Sequence, residues 1–263
     1  MDISIIILNY KSKVKTLICL ESVLVSDLEG IKTEIIVVDN NSNDGIEAVI
    51  QDRFDFVKFI QNDKNIGMGA GNNLGVKISS GKFILILNAD TRVENSTIKE
   101  LYRLVKSWPA VGMLAPELVY PDKKHQDSCF RFPSFLMPLY RRTFIGRFFK
   151  SKVNAFLVQD QSERLPLEVD WVMGSCLLIR REAIDKIGGG FDERYFMYFE
   201  DVDMARSLWQ AGYKVIYYPK ARVIHDHGRG SKKQAWFIAP FTNRLAREHI
   251  KSWLKYFYKW RKI

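Results

Sequence analysis

Three closely spaced acids, Glu200, Asp201 and Asp203, form the cluster of the sequence best suited to acid–base chemistry. They lie between an aromatic-rich turn and a stretch with helical spacing, in FMYFEDVDMARSLWQAGYKV. Acids are favoured in the first turn of a helix because they interact well with its dipole, and this accounts for one or two of the three. A third acid, flanked by aromatic residues that would exclude water, indicates a carboxylate held for general-base chemistry.

An amide and a carboxylate, Asn88 and Asp90, follow a run of apolar residues in FILILNADTRV. A carboxylate at the end of a buried strand can bind Mg²⁺ or Mn²⁺, because these hard cations prefer oxygen ligands and leave positions open for phosphate oxygens. The pattern is short, and its place directly after a strand is what gives it weight.

Two of the four histidines, His225 and His227, stand close together in HDHGRGS, after another apolar run. A histidine at a strand end can bind a metal or a phosphate, although a lone histidine is more often structural. The sequence indicates a ligand role for one of the two and does not decide which.

The glycine-rich stretch GMGAGNNLG, with Gly67, Gly69 and Gly71, differs from a dinucleotide-binding fingerprint. That fingerprint requires G-x-G-x-x-G between the first strand and the first helix. Here the third glycine comes one position early, and the stretch follows the third predicted strand. An NAD site is therefore discounted.

Four apolar runs supply the scaffold that these residues need. Near-continuous apolar runs separated by helical stretches predict a parallel sheet covered on both faces. The runs end in Asn9, Asp39, Asp63 and Asp90. Ligands bind beyond the carboxyl ends of strands in open α/β sheets, so the four ends predict one site; for Asp63, capping of the next helix is an equally good interpretation. The predicted strands are 3–10, 33–42, 57–63 and 82–90.

Size and composition fit one α/β domain with an appendage. The chain has 263 residues, 47% of them hydrophobic, and a formal net charge of +10. This charge favours an anionic partner, whether nucleic acid, an anionic membrane or a phosphorylated substrate. Three widely spaced cysteines fit a reducing compartment and are predicted to be small buried hydrophobic residues. The N-terminus predicts a strand and no signal peptide, and no apolar stretch approaches the roughly 20 residues that span a bilayer.

In combination, these segments resemble the family 2 inverting glycosyltransferases. The matching pieces are SIIILNYKS, EIIVVDNNSNDG, NIGMGAGNNLGV, LILNADTRV and the long segment from WVMGSCLLIRREAIDKIGGGFDERYFMYFEDVDMARSLWQ to AGYKVIYYPKARVIH. The pattern is most similar to bacterial rhamnosyltransferase-like enzymes that build surface polysaccharides. The resemblance implies the α/β class and the GT-A fold over residues 1–235, with a central, mostly parallel sheet and helices on both faces.

The resemblance implies a donor site for a nucleotide-diphosphate sugar at the sheet edge. The residues that it assigns to the nucleotide are Asn9, Asp39, Asp63, Asn65, Gly67 and Asn88. Among them, Asp39 would bind the base or ribose, and Gly67 would let the backbone approach the nucleotide. Asn88 stands where the family has the first acid of its DxD motif.

The same resemblance assigns the reacting groups. Asp90 would hold Mg²⁺ or Mn²⁺ on the diphosphate, with either His225 or His227 as a further ligand. Glu200 and Asp201 match the family's ED motif, in which Asp201 would be the base that deprotonates the acceptor hydroxyl.

Trp171, Met173 and Gly174 would shape the acceptor side, again by resemblance. The implied enzyme transfers a sugar, with inversion, to a saccharide or polyprenyl-diphosphate-linked acceptor in bacterial surface polysaccharide synthesis. L-Rhamnose from dTDP-rhamnose is the first choice of donor and a UDP-hexose the second. The expected location is cytoplasmic, and nucleic acid is not an expected partner.

The sequence predicts a basic amphipathic helical tail over residues 236–263. It also predicts an insertion over residues 130–165 that is mobile or faces the acceptor or the membrane. On a helical wheel, the basic residues Arg244, Arg247, Lys251, Lys255, Lys259 and Lys262 share one face of the tail. The apolar residues Ala246, Ile250, Trp253, Leu254, Phe257 and Trp260 lie opposite. This pattern fits an interfacial membrane helix, or a helix packed on the domain with a solvated basic face. The basic, aromatic insertion slightly favours peripheral contact with the inner face of the membrane.

Two other functions explain fewer of these features. A nucleotidyltransferase would need a glycine-rich loop after the first strand, and LNYKSKVKT lacks it. A nucleic-acid-binding protein would use the positive charge and the aromatic residues, but it leaves the strand-end acids and the Glu200–Asp201 pair without a role.

Overall fold

The first four strands form the parallel half of one central sheet. The computed structural model of the chain describes residues 1–142, 144–158, 165–226 and 243–262. The strands are β1 Ile3–Asn9, β2 Thr33–Asp39, β3 Lys58–Gln61 and β4 Phe83–Asn88. They lie in the order β3-β2-β1-β4, and each neighbouring pair is parallel. Their carboxyl ends therefore meet at one edge, as predicted.

The other strands extend this sheet and change its direction. They are β5 Thr91–Val93, β6 Val111–Val119, β7 His125–Gln126, β8 Cys129–Phe130, β9 Leu167–Glu168, β10 Trp171–Val172, β11 Cys176–Arg180 and β12 Lys214–His225. The full order is β3-β2-β1-β4-β11-β6-β12-β5, while β8 and β10 form a separate pair. Strand β11 is antiparallel to β4 and β6, so it begins at the edge where β4 ends.

Helices cover both faces of the sheet because the apolar strands alternate their side chains between two cores. They are α1 Lys13–Leu24, α2 Ile46–Arg53, α3 Met68–Ile78, α4 Thr97–Ser107, α5 Met137–Arg142, α6 Lys150–Phe156, α7 Arg181–Lys186, α8 Glu200–Gln210 and α9 Arg244–Lys259. Helices α1, α2 and α4 pack on one core and α3, α7 and α8 on the other. In β1, Ile5 belongs to the first core and Ile6 to the second. This central, mostly parallel sheet with helices on both faces is the architecture that the resemblance implies. All three cysteines are buried, and none of them forms a disulfide bond.

The predicted insertion, 130–165, contains short helices where the structure describes it. Helix α5 is followed by a 3-10 helix, Phe144–Phe149, and by α6. The ring of Phe130 stacks with those of Phe156 and Trp171, with ring centroids 5.3 and 4.4 Å apart. The segment is thus attached to the domain through an aromatic stack.

The tail forms the predicted helix, α9, and its aromatic face packs on the catalytic domain. Tyr256 and Trp260 are buried against Tyr195 and Phe199, which precede α8. The prediction that Lys259 lies on a solvated basic face is wrong, because its side chain is only 24% exposed and pairs with two aspartates. No described helix is long and apolar enough to cross a membrane.

Candidate active site

Asp39 lies at the end of β2 and accepts a hydrogen bond from Asn9 at the end of β1. The Asn9 amide donates to Asp39 Oδ1 at 2.6 Å, and the Gln61 amide and the backbone N–H of Ser42 donate to Oδ2. Asn9 is 0% exposed, and its amide oxygen accepts from Thr16. Asn9 therefore positions Asp39, and a direct contact of either residue with the nucleotide stays a prediction.

A groove of about 460 Å³ lies beside Asp39, between the β2–α2 loop and the end of β3. Exposed Asp63 lines it together with Asn41 and Asn62. Predicted Asn65 lies next to this groove, where its side-chain oxygen accepts from Asn40 and from the backbone N–H of Gly67. Binding of a donor base in this groove stays a prediction.

Asn40 organises this region and was missed from the sequence. Its amide donates to Asn65 and to the carbonyl of Gly67, while its oxygen accepts from Asn62 and from the backbone of Ile66. Its only sequence signal is its place between Asp39 and a run of polar residues.

Gly67 needs its hydrogen side chain for a reason different from the predicted approach of a nucleotide. Its φ is +95°, and a Cβ would lie 2.3 Å from the carbonyl oxygen of Phe196. The next residue, Met68, donates its backbone N–H to the same oxygen at 2.8 Å. The observed role of this glycine is therefore to let the loop between β3 and α3 contact the segment before α8.

Asp90 and His225 meet at the sheet edge, as the metal hypothesis requires. Asp90 Oδ1 is 3.4 Å from His225 Nε2, and His225 Nδ1 is 2.6 Å from the side-chain oxygen of Gln126. An Nδ1–H donated to Gln126 leaves the Nε2 lone pair facing Asp90, which is the tautomer that binds a metal. Burial acts to raise the pKa of Asp90, but when Nε2 also carries a proton, the hydrogen bond and positive charge of that imidazolium outweigh burial and lower the pKa of Asp90. His227 lies outside the described residues.

The donor atoms around Asp90 suit a hard divalent cation. The side-chain oxygen of Asn88 is buried and has no hydrogen-bond partner within the described ranges. Among the described residues there is no group of three His, Cys, Asp or Glu side chains arranged for a metal. The Asp90 carboxylate and the His225 imidazole, 3.4 Å apart, are two groups that could bind one divalent cation beside a diphosphate.

Glu200 and Asp201 begin α8, behind two residues in the left-handed backbone region. Tyr198 has φ 69° and Phe199 has φ 66°. Asp201 Oδ2 accepts from the backbone N–H of Gly174 at 2.9 Å, and Oδ1 accepts from that of Val202 at 2.8 Å. Glu200 Oε2 is buried with no hydrogen-bond partner in the part of the chain that the structure describes.

The two carboxyl groups share a buried site that favours one negative charge. Burial raises the pKa of both, and the negative charge of Asp201 raises that of Glu200 further. The backbone N–H groups of Val202 and Gly174 oppose the rise at Asp201, because they stabilise its carboxylate. Asp201 is therefore the better placed of the two to be the ionised base.

One dipeptide, Gly174–Ser175, contacts both Asp201 and His225. Gly174 donates to Asp201, while Ser175 Oγ lies 3.3 Å from His225 Nε2. The carbonyl of Ser175 also accepts from the backbone N–H of Asn88 at 3.0 Å. Antiparallel β11 brings this dipeptide to the edge where β4 ends. Ser175 was missed because a single serine gives no spacing signal.

The other acceptor candidates lie on the same side of the site. Trp171 stacks on Phe130 and donates its indole N–H to the carbonyl of Arg131. Met173 is partly buried and donates its backbone N–H to Ser128. Their contact with an acceptor stays a prediction.

The third acid of the cluster, Asp203, binds side chains of the tail helix and of the turn before α8. It is 2% exposed and accepts from Tyr195, Trp260 and Lys259. Asp203 is thus engaged by the tail helix and is unavailable as a base.

Replacing Glu200 by glutamine is expected to stabilise the protein at neutral pH. Because the folded-state pKa of Glu200 is raised, its contribution to stability is present at low pH and is lost as the pH rises through that pKa. The neutral amide removes this loss. We expect a melting temperature about 3 °C higher at pH 8, equivalent to ~1 kcal/mol in a protein of this size, with the difference vanishing near pH 4. A lower melting temperature at pH 8 would contradict the assignment.

Comparisons with known proteins agree with this geometry. The Glycosyl transferase family 2 model matches residues 4–188. The N-acetylglucosaminyl-diphospho-decaprenol L-rhamnosyltransferase of Mycobacterium tuberculosis is 33% identical over 205 residues, which cover 73% of this chain and 66% of that protein. Rhamnosyltransferase WbbL of Escherichia coli K12 is 28% identical over 199 residues, which cover 71% of this chain and 72% of that protein.

A solved structure of similar fold is the mannosyltransferase PcManGT from Pyrobaculum calidifontis in complex with GDP-Man and Mn²⁺. It has a TM-score of 0.63 and 17% identity, and the match covers 97% of this chain and 64% of that one. The present chain spans slightly less than two thirds of the M. tuberculosis protein. With the family model matched over more than half of the chain and rhamnosyltransferases among its relatives, this protein belongs to glycosyl transferase family 2 and has the GT-A fold.

Proposed function

We propose that this protein is an inverting glycosyltransferase with Asp201 as its base. It moves a sugar, first of all L-rhamnose from dTDP-rhamnose, to a saccharide or polyprenyl-diphosphate-linked acceptor in bacterial surface polysaccharide synthesis. The rhamnosyltransferase relatives support this choice of donor. The observation that carries the proposal is the contact chain from Asp201 through Gly174 and Ser175 to His225 and Asp90.

The chain supplies a base on one side of the reacting centre. The Asp201 carboxylate takes the proton of the acceptor hydroxyl, whose oxygen then bonds to the anomeric carbon. The bond from that carbon to the diphosphate breaks, and its electron pair leaves with the nucleoside diphosphate. Attack from the face opposite the leaving group inverts the configuration. Burial of the Glu200–Asp201 pair keeps the proton acceptor away from bulk water.

The other side of the centre must tolerate the negative charge of the leaving diphosphate. A bound Mg²⁺ or Mn²⁺ would supply positive charge there. Asp90 and His225 are the described residues that would hold it, with Asn88 beside them. Lys15, whose positive charge acts on Asp90, adds to the same field.

A donor panel tests the proposal. The purified protein is titrated calorimetrically with dTDP-rhamnose, UDP-glucose, UDP-galactose and UDP-N-acetylglucosamine, each with and without Mn²⁺. We expect dTDP-rhamnose to bind more tightly than the UDP sugars, and more tightly with Mn²⁺. Tighter binding of a UDP-hexose would change the proposed donor to that sugar nucleotide, while the proposed reaction would stay the same. Binding of none, together with retention of RNA or DNA at physiological salt, would overturn the proposal.

We also propose peripheral contact with the inner face of the membrane, through the outer side of α9. Leu254 and Tyr258 are exposed there, one helical turn apart, among Lys251 and Lys255. Exposed Phe135 adjoins them, because its ring packs 4.3 Å from that of Trp253. Basic and aromatic side chains together favour an anionic lipid surface.

Replacing Leu254 and Tyr258 together by serine is expected to reduce co-sedimentation with phosphatidylglycerol vesicles about fivefold or more, given ~25 cal/mol for each Å² of apolar surface kept in water. The change removes apolar area and leaves the packed face of α9 unchanged. Phe56→Ser, at an equally exposed phenylalanine in the turn before β3, is the control and should sediment as the original protein does. Equal sedimentation of the double variant would refute this contact.

A further inference from the structure

We propose that α9 is a positioning element for the base, acting through Asp203 and the turn that precedes α8. The proposal rests on the proposed function, because it assigns a role relative to Asp201. It gives the tail helix a part in the reaction in addition to its part in packing.

The first contact lies two residues beyond the base. Asp203 Oδ1 accepts from the indole N–H of Trp260 at 2.8 Å and from the Tyr195 hydroxyl at 3.1 Å. Asp203 Oδ2 accepts from Lys259 Nζ at 2.6 Å. Lys259 also pairs with Asp192 at 2.9 Å. The buried Asp203 carboxylate thus links the first turn of α8 to the end of α9. Separating the two helices would leave this charge buried without its cation, which is costly.

The second contact lies just before the base. Tyr198 and Phe199 hold left-handed backbone conformations, which are strained for residues other than glycine. Such strain persists only where the surroundings enforce it. Helix α9 does so at two points, since Ser252 donates to the carbonyl of Met197 at 2.8 Å and Tyr256 packs on the ring of Phe199.

The two contacts enclose Glu200 and Asp201 from both directions along the chain. The side chain of Asp201 reaches Gly174 only because the turn before it and the helix after it keep the present orientation. A displacement of about 1 Å at a reacting group can cost about 100-fold in rate. Loosening α9 should therefore reduce the chemical step more than donor binding, because the donor groove is lined by the β2–α2 loop and the end of β3.

The test is Lys259→Met, measured in the full chain with the donor that the panel identifies. We expect kcat to fall at least tenfold, with the KM for the donor within twofold of the original. Lys259→Arg should restore most of kcat, because it returns a cation to Asp203. Trp260→Phe, which removes one donor and keeps an aromatic ring, is a milder variant and should give a smaller loss of kcat.

The matched control is Lys58→Met. It breaks a similar pair, Lys58 with buried Glu34 at 2.7 Å, at the amino end of the sheet and away from the site. We expect this control to keep kcat within twofold even if its melting temperature falls. A full kcat in folded Lys259→Met, or equal losses of kcat in both variants, would overturn the proposal.

Amide hydrogen exchange separates this proposal from the proposed function. In Lys259→Met, residues 195–203 should exchange faster, with β1 and β2 unchanged, whether or not a donor has been identified. Unchanged exchange in 195–203 would overturn the positioning role even if the original protein transfers a sugar. Faster exchange together with no turnover of any donor would leave the role of α9 supported and the proposed function refuted.

Discussion

Asp201→Asn is expected to lower kcat by about 10³-fold, within the range of ~10²–10⁴ typical of a lost general base. The asparagine oxygen can still accept from the N–H of Gly174, so the local geometry is kept, but the amide cannot take the acceptor proton. Donor affinity should stay within about twofold, because the proposed role of Asp201 is to deprotonate the acceptor hydroxyl. Single-turnover transfer measures the first quantity and calorimetry the second.

Asp185→Asn is the matched control, since it makes the same change at an exposed position of α7. It should leave both quantities unaltered. Turnover of Asp201→Asn near that of the original protein would remove Asp201 as the base. In the original protein, kcat should fall as the pH drops through a value above the ordinary aspartate pKa of ~4, because burial raises the pKa of Asp201 and only its carboxylate can accept a proton.

The second large effect is expected at the metal pair. Asp90→Asn replaces an ionised oxygen ligand by a neutral amide beside His225. We expect the affinity for Mn²⁺ to fall about 100-fold or more, as even supporting groups of metal ligands contribute 10–100-fold. The enhancement of donor binding by Mn²⁺ should disappear, and EDTA should have the same effect on the original protein.

Calorimetric titration of Mn²⁺, in the presence of the nucleoside diphosphate, measures this change. Asp122→Asn is the control, because Asp122 is an exposed acid that pairs with the surface lysine Lys124. Undiminished enhancement in Asp90→Asn would show that the cation is held elsewhere, and His225→Ala would then be expected to behave like the original protein too.

The parallel half of the sheet could be predicted because it is local in sequence. Each of its strands is an apolar run followed at once by Asn or Asp, so burial and polar termination are both visible in a window of ten residues. The direction of β11 could not be predicted in that way. CLLIR is as apolar as the parallel strands, and only its pairing with β4 and β6, distant in sequence, makes it antiparallel.

The residues of the candidate site show the same difference between what is local in sequence and what is distant. Asp39, Asp90 and Asp201 were identified because each follows a strand or begins a helix in a recognisable motif. Ser175 and Gln126 act through His225, which is 50 and 99 residues away, and no local pattern records such a contact. The helical wheel of α9 predicts that Lys259 is solvated for the same reason, since it contains no information about an aspartate on α8.

The burial of the three cysteines makes the chain a ready background for thiol labelling. Burial raises the pKa of Cys19 and of Cys129 to about 12, and it raises that of Cys176 as well, so none offers a thiolate to a maleimide near neutral pH. A reporter cysteine can therefore be introduced without first removing the native ones. Tyr258→Cys, at a position that is 69% exposed on α9, would carry a fluorophore. Its anisotropy would report in real time whether the helix remains packed on the domain or detaches from it.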